Sequence, residues 1–484
     1  MAFGDSIRVE NGYQKNAFTH YPVLIIGAGE SGLAMGCRLK EKFGFDQFRI
    51  FDRQSGIGDV TELRYVDREE EWEVTLSYLA PGTGDLSEAQ RREMIAKLGM
   101  KSVYLKQEKV RAKIVVSCVG ILVEPNAWPT SIPGRETFRG EIFHSARWRD
   151  DTDFREKDVV VVGSGCSAAQ IVPSLFEEPF NVRSITQIMR TAPWVMPRLT
   201  EPFGKANYAR YAPMVFRYFP FLGYLIRVSL YLLVEVIWLT VFQQKNAKWR
   251  AQIEASTLER MYSIIPKKFH TTMKPNHSYG CKRRVFDSAW LNSMSKPNFD
   301  LTNRPLKSVE PNGVVLGTNS GDPNKPAEDA RVNADIIVLA NGFEALRWFH
   351  PLSVYGRSGR SMHDVWDERG GPQAYMGTAM DGFPNFFIAT GPNSANGHAS
   401  LILESENITE YILRIVEPVL KGNALYVEPK KDAEIKWTAD IQRELKKTVF
   451  PGCTSWYQDE RGWNSTMYPY VPMLMFWSCY WFDE

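Results

Sequence analysis

The sequence predicts an α/β protein built on two parallel sheets, with a helical piece inserted into the second half. Three observations predict it. Two wholly apolar runs, Val23-Leu24-Ile25-Ile26 and Val159-Val160-Val161-Val162, each lead into a glycine-spaced turn and a helical stretch. Runs of this kind suit strands buried on both faces; they recur at 336–339 and 386–389, and mostly apolar runs stand at 48–51 and 114–118. The composition agrees: 484 residues, 44% of them apolar and 24% charged, supply a large core and exclude a disordered, collagenous or coiled-coil chain.

The elements follow in order. After the first run comes Gly27-Ala28-Gly29-Glu30-Ser31-Gly32 and a helical stretch to Lys42. Phe48-Arg49-Ile50-Phe51 forms the next strand and ends at Asp52. A hairpin-like region covers 61–79, and 87–98 is polar and reads as helix or loop. Ile114-Val115-Val116-Ser117-Cys118 is a buried strand, and Pro125, Pro129 and Pro133 then mark a loop. The second turn is Gly163-Ser164-Gly165-Cys166-Ser167-Ala168, with a helix through Ile171 and a strand over 184–189. From 199 to 277 the pattern turns helical and aromatic. Ile336-Ile337-Val338-Leu339 resumes the sheet, Phe386-Phe387-Ile388-Ala389 is a late strand, and 400–416 has helical spacing. The expected division is 1–150 and 346–484 for the first unit, 151–198 and 278–345 for the second, and 199–277 for the insertion.

Net charge is +2, from 58 basic and 56 acidic residues, which argues against a partner held by nucleic-acid phosphates. Six cysteines lie far apart with no Cys-x-x-Cys pair, so reduced thiols and an intracellular, cytoplasmic location are expected. The first twenty residues show no basic-then-apolar signal pattern. The apolar stretch 213–244 is interrupted by Arg217, Arg227 and Glu235. It is expected to be a buried or half-buried helix pair, with membrane-surface contact as the alternative and no transmembrane span.

The turns carry chemistry. A diphosphate needs backbone N–H groups close by, which a side chain would obstruct. Gly27 makes the tight turn, Gly29 admits the phosphates and Gly32 lets the helix pack closely, while the helix N-terminus adds partial positive charge. Asp52, 20 residues after Gly32, stands where a carboxylate takes a ribose hydroxyl. Gly163, Gly165 and Ala168 repeat the pattern, with Arg190 at the end of the following strand. An arginine there suits a 2′-phosphate, and hence NADPH over NADH; the bland reading is a surface arginine. Glu30, Ser31 and Ser167 share the two helix starts and are counted with the cofactor sites. Two such sites imply a flavin in the first module and a nicotinamide in the second.

Between the modules, Phe138-Arg139-Gly140-Glu141-Ile142-Phe143-His144-Ser145-Ala146-Arg147-Trp148 resembles the Baeyer–Villiger monooxygenase fingerprint F-x-G-x-x-x-H-x-x-x-W, although Arg149 stands where Pro or Asp is usual. The stretch Ile185–Trp194, with Arg190 and Thr191, resembles the family's segment beside the NADPH phosphate. Gly280-Cys281-Lys282-Arg283-Arg284 resembles its Lys-Arg segment, Leu339–Phe343 its A-T-G-F turn, and 382–387 with Gly391-Pro392-Asn393 its late flavin-side strand. Within the family the chain looks most like fungal polyketide-pathway enzymes. The resemblance implies FAD and NADPH as cofactors and a ketone and O2 as substrates, with oxygen passing from reduced flavin to give an ester or lactone, or to a heteroatom. It implies that Arg283 stabilises a peroxide anion, that Lys282 contacts NADPH, that Gly391 and Asn393 lie at the flavin, and that Phe138, Gly140, His144 and Trp148 link the domains. The bland readings are a solvated basic run for 282–284, a satisfied structural histidine for His144 and core packing for the aromatic tail 456–481. No metal site is expected.

One stretch departs from the family. Ser55-Gly56-Ile57-Gly58 begins its G-G-T-W segment, and Asp59-Val60-Thr61 then jumps toward the later meander at Trp72-Glu73-Val74-Thr75. Several dozen residues that would cover the flavin are absent, through a deletion or a skipped exon in the gene model. Three functions compete: a coupled monooxygenase, an FAD/NADPH oxidase that leaks peroxide because its flavin is uncovered, and a relic that only binds dinucleotide.

Overall fold

The computed structural model describes residues 19–53, 59–84, 86–198, 201, 204–287, 289–318, 328–397 and 400–471. The chain divides into two compact units, one of residues 1–124 with 344–484 and one of residues 125–343.

The first unit begins with β1 (Thr19–Ile26), α1 (Glu30–Phe43), β2 (Phe48–Phe51), β3 (Asp59–Val66), β4 (Glu71–Leu79), α2 (Glu88–Leu98) and β5 (Tyr104–Ser117). The second contains β6 (Glu141–His144), β7 (Asp158–Val162), α3 (Cys166–Leu175), β8 (Ser184–Ile188), β9 (Val195–Pro197), α4 (Lys205–Tyr218), α5 (Pro220–Val241), α6 (Ala247–Ile264), β10 (Val285–Asp287), α7 (Trp290–Ser293), β11 (Phe299–Thr302), β12 (Leu306–Glu310), β13 (Gly313–Leu316), β14 (Ala330–Asn333) and β15 (Ile336–Leu339). The chain then returns to the first unit with β16 (Ser353–Tyr355), α8 (Met362–Glu368), β17 (Phe386–Ile388), α9 (Leu401–Leu420) and α10 (Lys431–Leu445).

In the first unit, β1 runs parallel to both β2 and β5, so the apolar run 23–26 is covered on two edges. β5 also pairs with β4 antiparallel and β17 parallel. Trp72, Trp366, Phe386 and the residues around them form the core against this sheet. In the second unit five parallel strands take the order β11-β8-β7-β15-β6. Val160, Ile188 and Ile337 lie at its centre, against the antiparallel ribbon β12-β13-β14.

Four expectations change, the first being that the thiols are not all reduced: Cys281 and Cys453 are disulfide-bonded. The boundary drawn at 150 falls instead between Glu124 and Pro125, because β6 pairs in parallel register with β15 and takes the fingerprint segment into the second unit. The strand expected at 114–118 begins ten residues earlier, at Tyr104. Its extra length pairs with β4, where alternating charged residues had hidden it. The 213–244 stretch is a pair of helices, but it is not buried: no residue of α4 is buried, and in α5 only Glu235, Trp238 and Val241 are. By length and composition α5 is apolar enough to cross a membrane. The segment 55–58 lies outside the described residues, and just seven residues join β2 to β3.

Candidate functional site

The first glycine turn is built as its spacing requires. Gly27 has φ +102°, and its N–H donates to the Phe51 carbonyl at 2.7 Å. A Cβ on Gly27 would lie 2.5 Å from the Cys118 carbonyl oxygen, and one on Gly32 would lie 1.9 Å from the Gly27 carbonyl oxygen. Both positions therefore exclude side chains. A Cβ on Gly29 would meet nothing within 4 Å. Gly29 is also the N-cap of α1, and no side chain caps that helix. The turn thus leaves open space beside uncapped N–H groups, which is the physical requirement of a phosphate cradle. Asp52 is fixed at its rim, where Oδ2 accepts the Ala28 N–H at 2.9 Å. The side chains of Glu30 and Ser31 tie this helix start to a later helix. Ser31 Oγ donates to Ser405 Oγ at 3.0 Å, and Ser405 Oγ donates to Glu30 Oε1 at 3.1 Å. These bonds join α1 to α9.

The second turn repeats the design. Gly163 has φ +133°, and its Cβ would lie 2.1 Å from the Ala340 carbonyl oxygen. Gly165 faces open space and stands at the uncapped start of α3. Ala168 is fully buried, and Ser167 is half-buried in the first turn of the helix. Two bonds hold the turn from the side. Ser164 Oγ donates to the Thr191 carbonyl at 3.0 Å, and Gln187 Nε2 donates to the Gly163 carbonyl at 2.7 Å. Gln187 is itself held by the Trp290 indole N–H at 2.9 Å. Sequence reasoning passed over Gln187; a polar residue at an inward position of a buried strand was the available signal.

Arg190 is exposed just after β8. Lys282 is half-buried, and its ammonium is held below the usual lysine range by burial and then by the positive charge of Arg190. The His277 imidazole is driven down to about 4 by burial and then by Lys282. Among the described residues no ion pair engages Arg190 or Lys282. Two cations within electrostatic reach and without a counter-ion favour an anionic ligand between them.

The next two residues have opposite fates. Arg283 is exposed, and among the described residues no hydrogen bond or ion pair holds it. Arg284 is buried. Its guanidinium lies 5.2, 5.4 and 5.6 Å from the ring centres of Phe242, Tyr279 and Phe286, and Nη1 donates to the Tyr279 hydroxyl at 3.2 Å. The basic run is therefore not one solvated face. Arg284 is packed among aromatic rings, and Arg283 stands at the surface beside it.

The fingerprint residues build the second unit. His144 Nε2 bonds the Gly342 carbonyl at 3.0 Å, so it carries the proton, and Nδ1 accepts the Ala146 N–H at 3.0 Å. Burial, the largest influence, lowers its pKa, so this is a neutral, fully engaged ring. Trp148 stacks on Phe154, and its centroid lies 5.5 Å from that of Phe143. Phe138 packs on the core of the sheet, and a Cβ on Gly140 would lie 2.0 Å from the Asp335 carbonyl oxygen.

A Cβ on Gly391 would lie 2.3 Å from the Gly377 carbonyl oxygen. Asn393 is buried with φ +57°, and its amide donates to the Asn464 and Met467 carbonyls at 2.7 and 3.0 Å. Its side chain clamps the C-terminal segment. Asn464-Ser465-Thr466 has the Asn-x-Thr form of a glycosylation triplet, but all three residues are buried, so it is no accessible acceptor. In the aromatic tail Tyr457 and Tyr468 are core residues, whereas 472–481 lie outside the described residues. No group of three or more metal-ligating side chains occurs among the described residues.

A model of the family described as "Flavin-binding monooxygenase-like" matches residues 85–229. The chain is 29% identical to an FAD-binding monooxygenase of Aspergillus niger, over 94% of this chain and 80% of the relative. It is also 29% identical to a Baeyer-Villiger monooxygenase of Streptomyces coelicolor, over 93% of this chain and 89% of that one. Among solved structures, the polycyclic ketone monooxygenase of Thermothelomyces thermophila superposes with a TM-score of 0.72 at 19% identity, covering 95% of this chain and 87% of its own. An oxidized steroid monooxygenase bound to NADP gives 0.69 at 19% identity, covering 94% and 96%. The alignment to the Aspergillus relative extends over 509 positions, so that relative carries about fifty residues with no counterpart here.

Proposed function

We propose that this chain, a flavin-binding monooxygenase of the Baeyer–Villiger type, binds FAD in its first unit and NADPH in its second and inserts one oxygen atom of O2 into a ketone. The observation that carries the reading is the repeated cradle: Gly29 and Gly165 each face open space at an uncapped helix start, two residues after a glycine that admits no side chain. When bound, FAD supplies the redox chemistry, taking hydride from NADPH and activating oxygen.

The protein's own groups bind, orient and stabilise charge. Asp52, fixed to the first turn, takes a ribose hydroxyl of FAD. Arg190 and Lys282 hold the 2′-phosphate of NADPH, which relieves their mutual repulsion. Arg283 provides a fixed positive charge for the anionic oxygen at the reacting centre. For substrate we propose a bulky aromatic polyketide ketone, of which hydroxyversicolorone is the type, in fungal secondary metabolism. The fungal relative and the polycyclic ketone enzyme of the same fold support this class.

The test is direct. Purified protein should show flavin absorbance, oxidise NADPH in preference to NADH and convert an aromatic ketone to a product one oxygen atom heavier. Protein that folds without flavin, even after reconstitution, overturns the reading. A second reading has its own support. The seven-residue link from β2 to β3 leaves no chain for a flavin-covering loop, which favours an oxidase that releases hydrogen peroxide. NADPH consumption that yields peroxide and no ester selects it. Insertion of a family-type segment after Gly58 should then restore coupling.

A further inference from the structure

We propose that the α4–α5 hairpin is a monotopic membrane anchor, which dips into one leaflet of a bilayer rich in anionic headgroups. α5 is 22 residues long, and only 17% of its most apolar window is buried. Phe221, Leu225, Ile226 and Leu230 are all exposed, and at 3.6 residues per turn they spread over about half of the helix circumference. α4, which packs on α5, adds exposed Met214 and Tyr218. A single protein partner covers a stripe, whereas a surface this broad and this apolar suits lipid, which wets a helix from every open side.

Geometry restricts the depth. The last turns of α5 are tied into the second unit. Phe242 lies against Gly280 and the Arg284 guanidinium, and Glu235, Trp238 and Val241 are buried. The apolar part left free, 220–234, is about 22 Å long at 1.5 Å per residue, which is short of the ~30 Å hydrocarbon core. The hairpin therefore enters and leaves on one side.

Charge selects the lipid. Between 205 and 250 the sequence holds seven basic residues and one acidic residue, Glu235, which is buried. Lys205, Arg210, Arg217 and Arg227 are exposed, and among the described residues none is paired with a carboxylate. Exposed Trp249, at the start of α6, adds an aromatic side chain of the kind enriched at the lipid–water boundary.

The test is cosedimentation of the whole chain with vesicles of phosphatidylcholine alone or with about a quarter phosphatidylserine. The chain should pellet with the anionic vesicles. The triple substitution Phe221→Ser, Leu225→Ser, Leu230→Ser should cut the bound fraction about tenfold or more without moving the melting temperature. Arg217→Glu with Arg227→Glu should cut binding to the anionic vesicles alone. In the unmodified chain, anionic vesicles should shield Arg227 from trypsin, a readout that stands even where a variant fails to fold. A chain that stays in the supernatant with both vesicles, or a stable dimer in buffer that the same serines dissolve and vesicles do not displace, overturns the proposal.

Discussion

The two glycine turns are near copies in backbone and opposites in charge. Each has a glycine at positive φ wedged against a carbonyl, a second facing open space and a small residue that seats the helix. After the next strand the first places a carboxylate, Asp52, bonded to its own turn, and the second places Arg190 beside Lys282. The two backbones present the same open, uncapped turn, and the side chain at the end of the second strand is where they differ. The surroundings also differ. The second turn is buttressed by Gln187 and Trp290, whereas the first is followed by a link of seven residues.

The comparison breaks most severely inside one turn. Gly32→Val should leave little folded protein and no flavin, because its Cβ collides with backbone that cannot yield, at a cost of several kcal/mol. Gly29→Val should fold with an unchanged melting temperature and lose only the flavin. Equal melting temperatures for the two variants would dissolve the distinction between them. Next in size, Arg283→Ala should keep flavin and NADPH oxidation but lower ester formation by about 10²–10³-fold, the scale of a lost oxyanion partner. Arg284→Ala should instead lower the melting temperature. Smaller still, Arg190→Ala should raise the NADPH Michaelis constant about tenfold and leave that for NADH almost unmoved. The mirror change at Asp52 should weaken flavin binding without altering the choice between NADPH and NADH.

The smallest effect separates the two sheets by pH. Glu71 is buried beside His20 at 3.2 Å, and burial pushes its carboxyl up to about 7. The folded form holds this proton more tightly than the unfolded chain does. The stability it contributes is therefore full below the ordinary value of 4.5 and is lost as pH rises through about 7. Glu71→Gln should flatten that slope by on the order of 1–2 kcal/mol, seen as a smaller fall in melting temperature between about pH 5 and pH 8. The second sheet buries Gln187, a neutral amide, and Gln187→Glu should introduce the same slope there.

What the sequence made legible was whatever depends on near neighbours. The strand–turn–helix units around Gly27 and Gly163, the hairpin at 61–79 and the helices after 199 are all read from local pattern, and all are present. What was illegible depends on contacts made far along the chain. Asn393 reads as part of a flavin-side motif, yet its amide is committed to carbonyls some seventy residues later. Ser31 reads as a cradle residue and bonds Ser405. Lys282, Arg283 and Arg284 are one basic run on paper and three separate environments in space. The exposure of α4 and α5 was hidden for a related reason, since an apolar helix has the same sequence whether protein or lipid covers it.

The pairing of β17 with β5 has a consequence for how the molecule is made. The first unit is discontinuous, and more than two hundred residues separate its halves. On the ribosome, residues 125–343 are complete and free to close their five-stranded sheet while the first sheet still lacks β16 and β17. The nascent chain must hold β5 with Val115 and Val116 unpaired on that edge until Phe386 and Phe387 emerge. At 5–20 residues per second that interval lasts on the order of ten seconds or more. For this period the first half of that unit is a natural client for chaperones, and translation speed through the middle of the message should set the yield of folded enzyme.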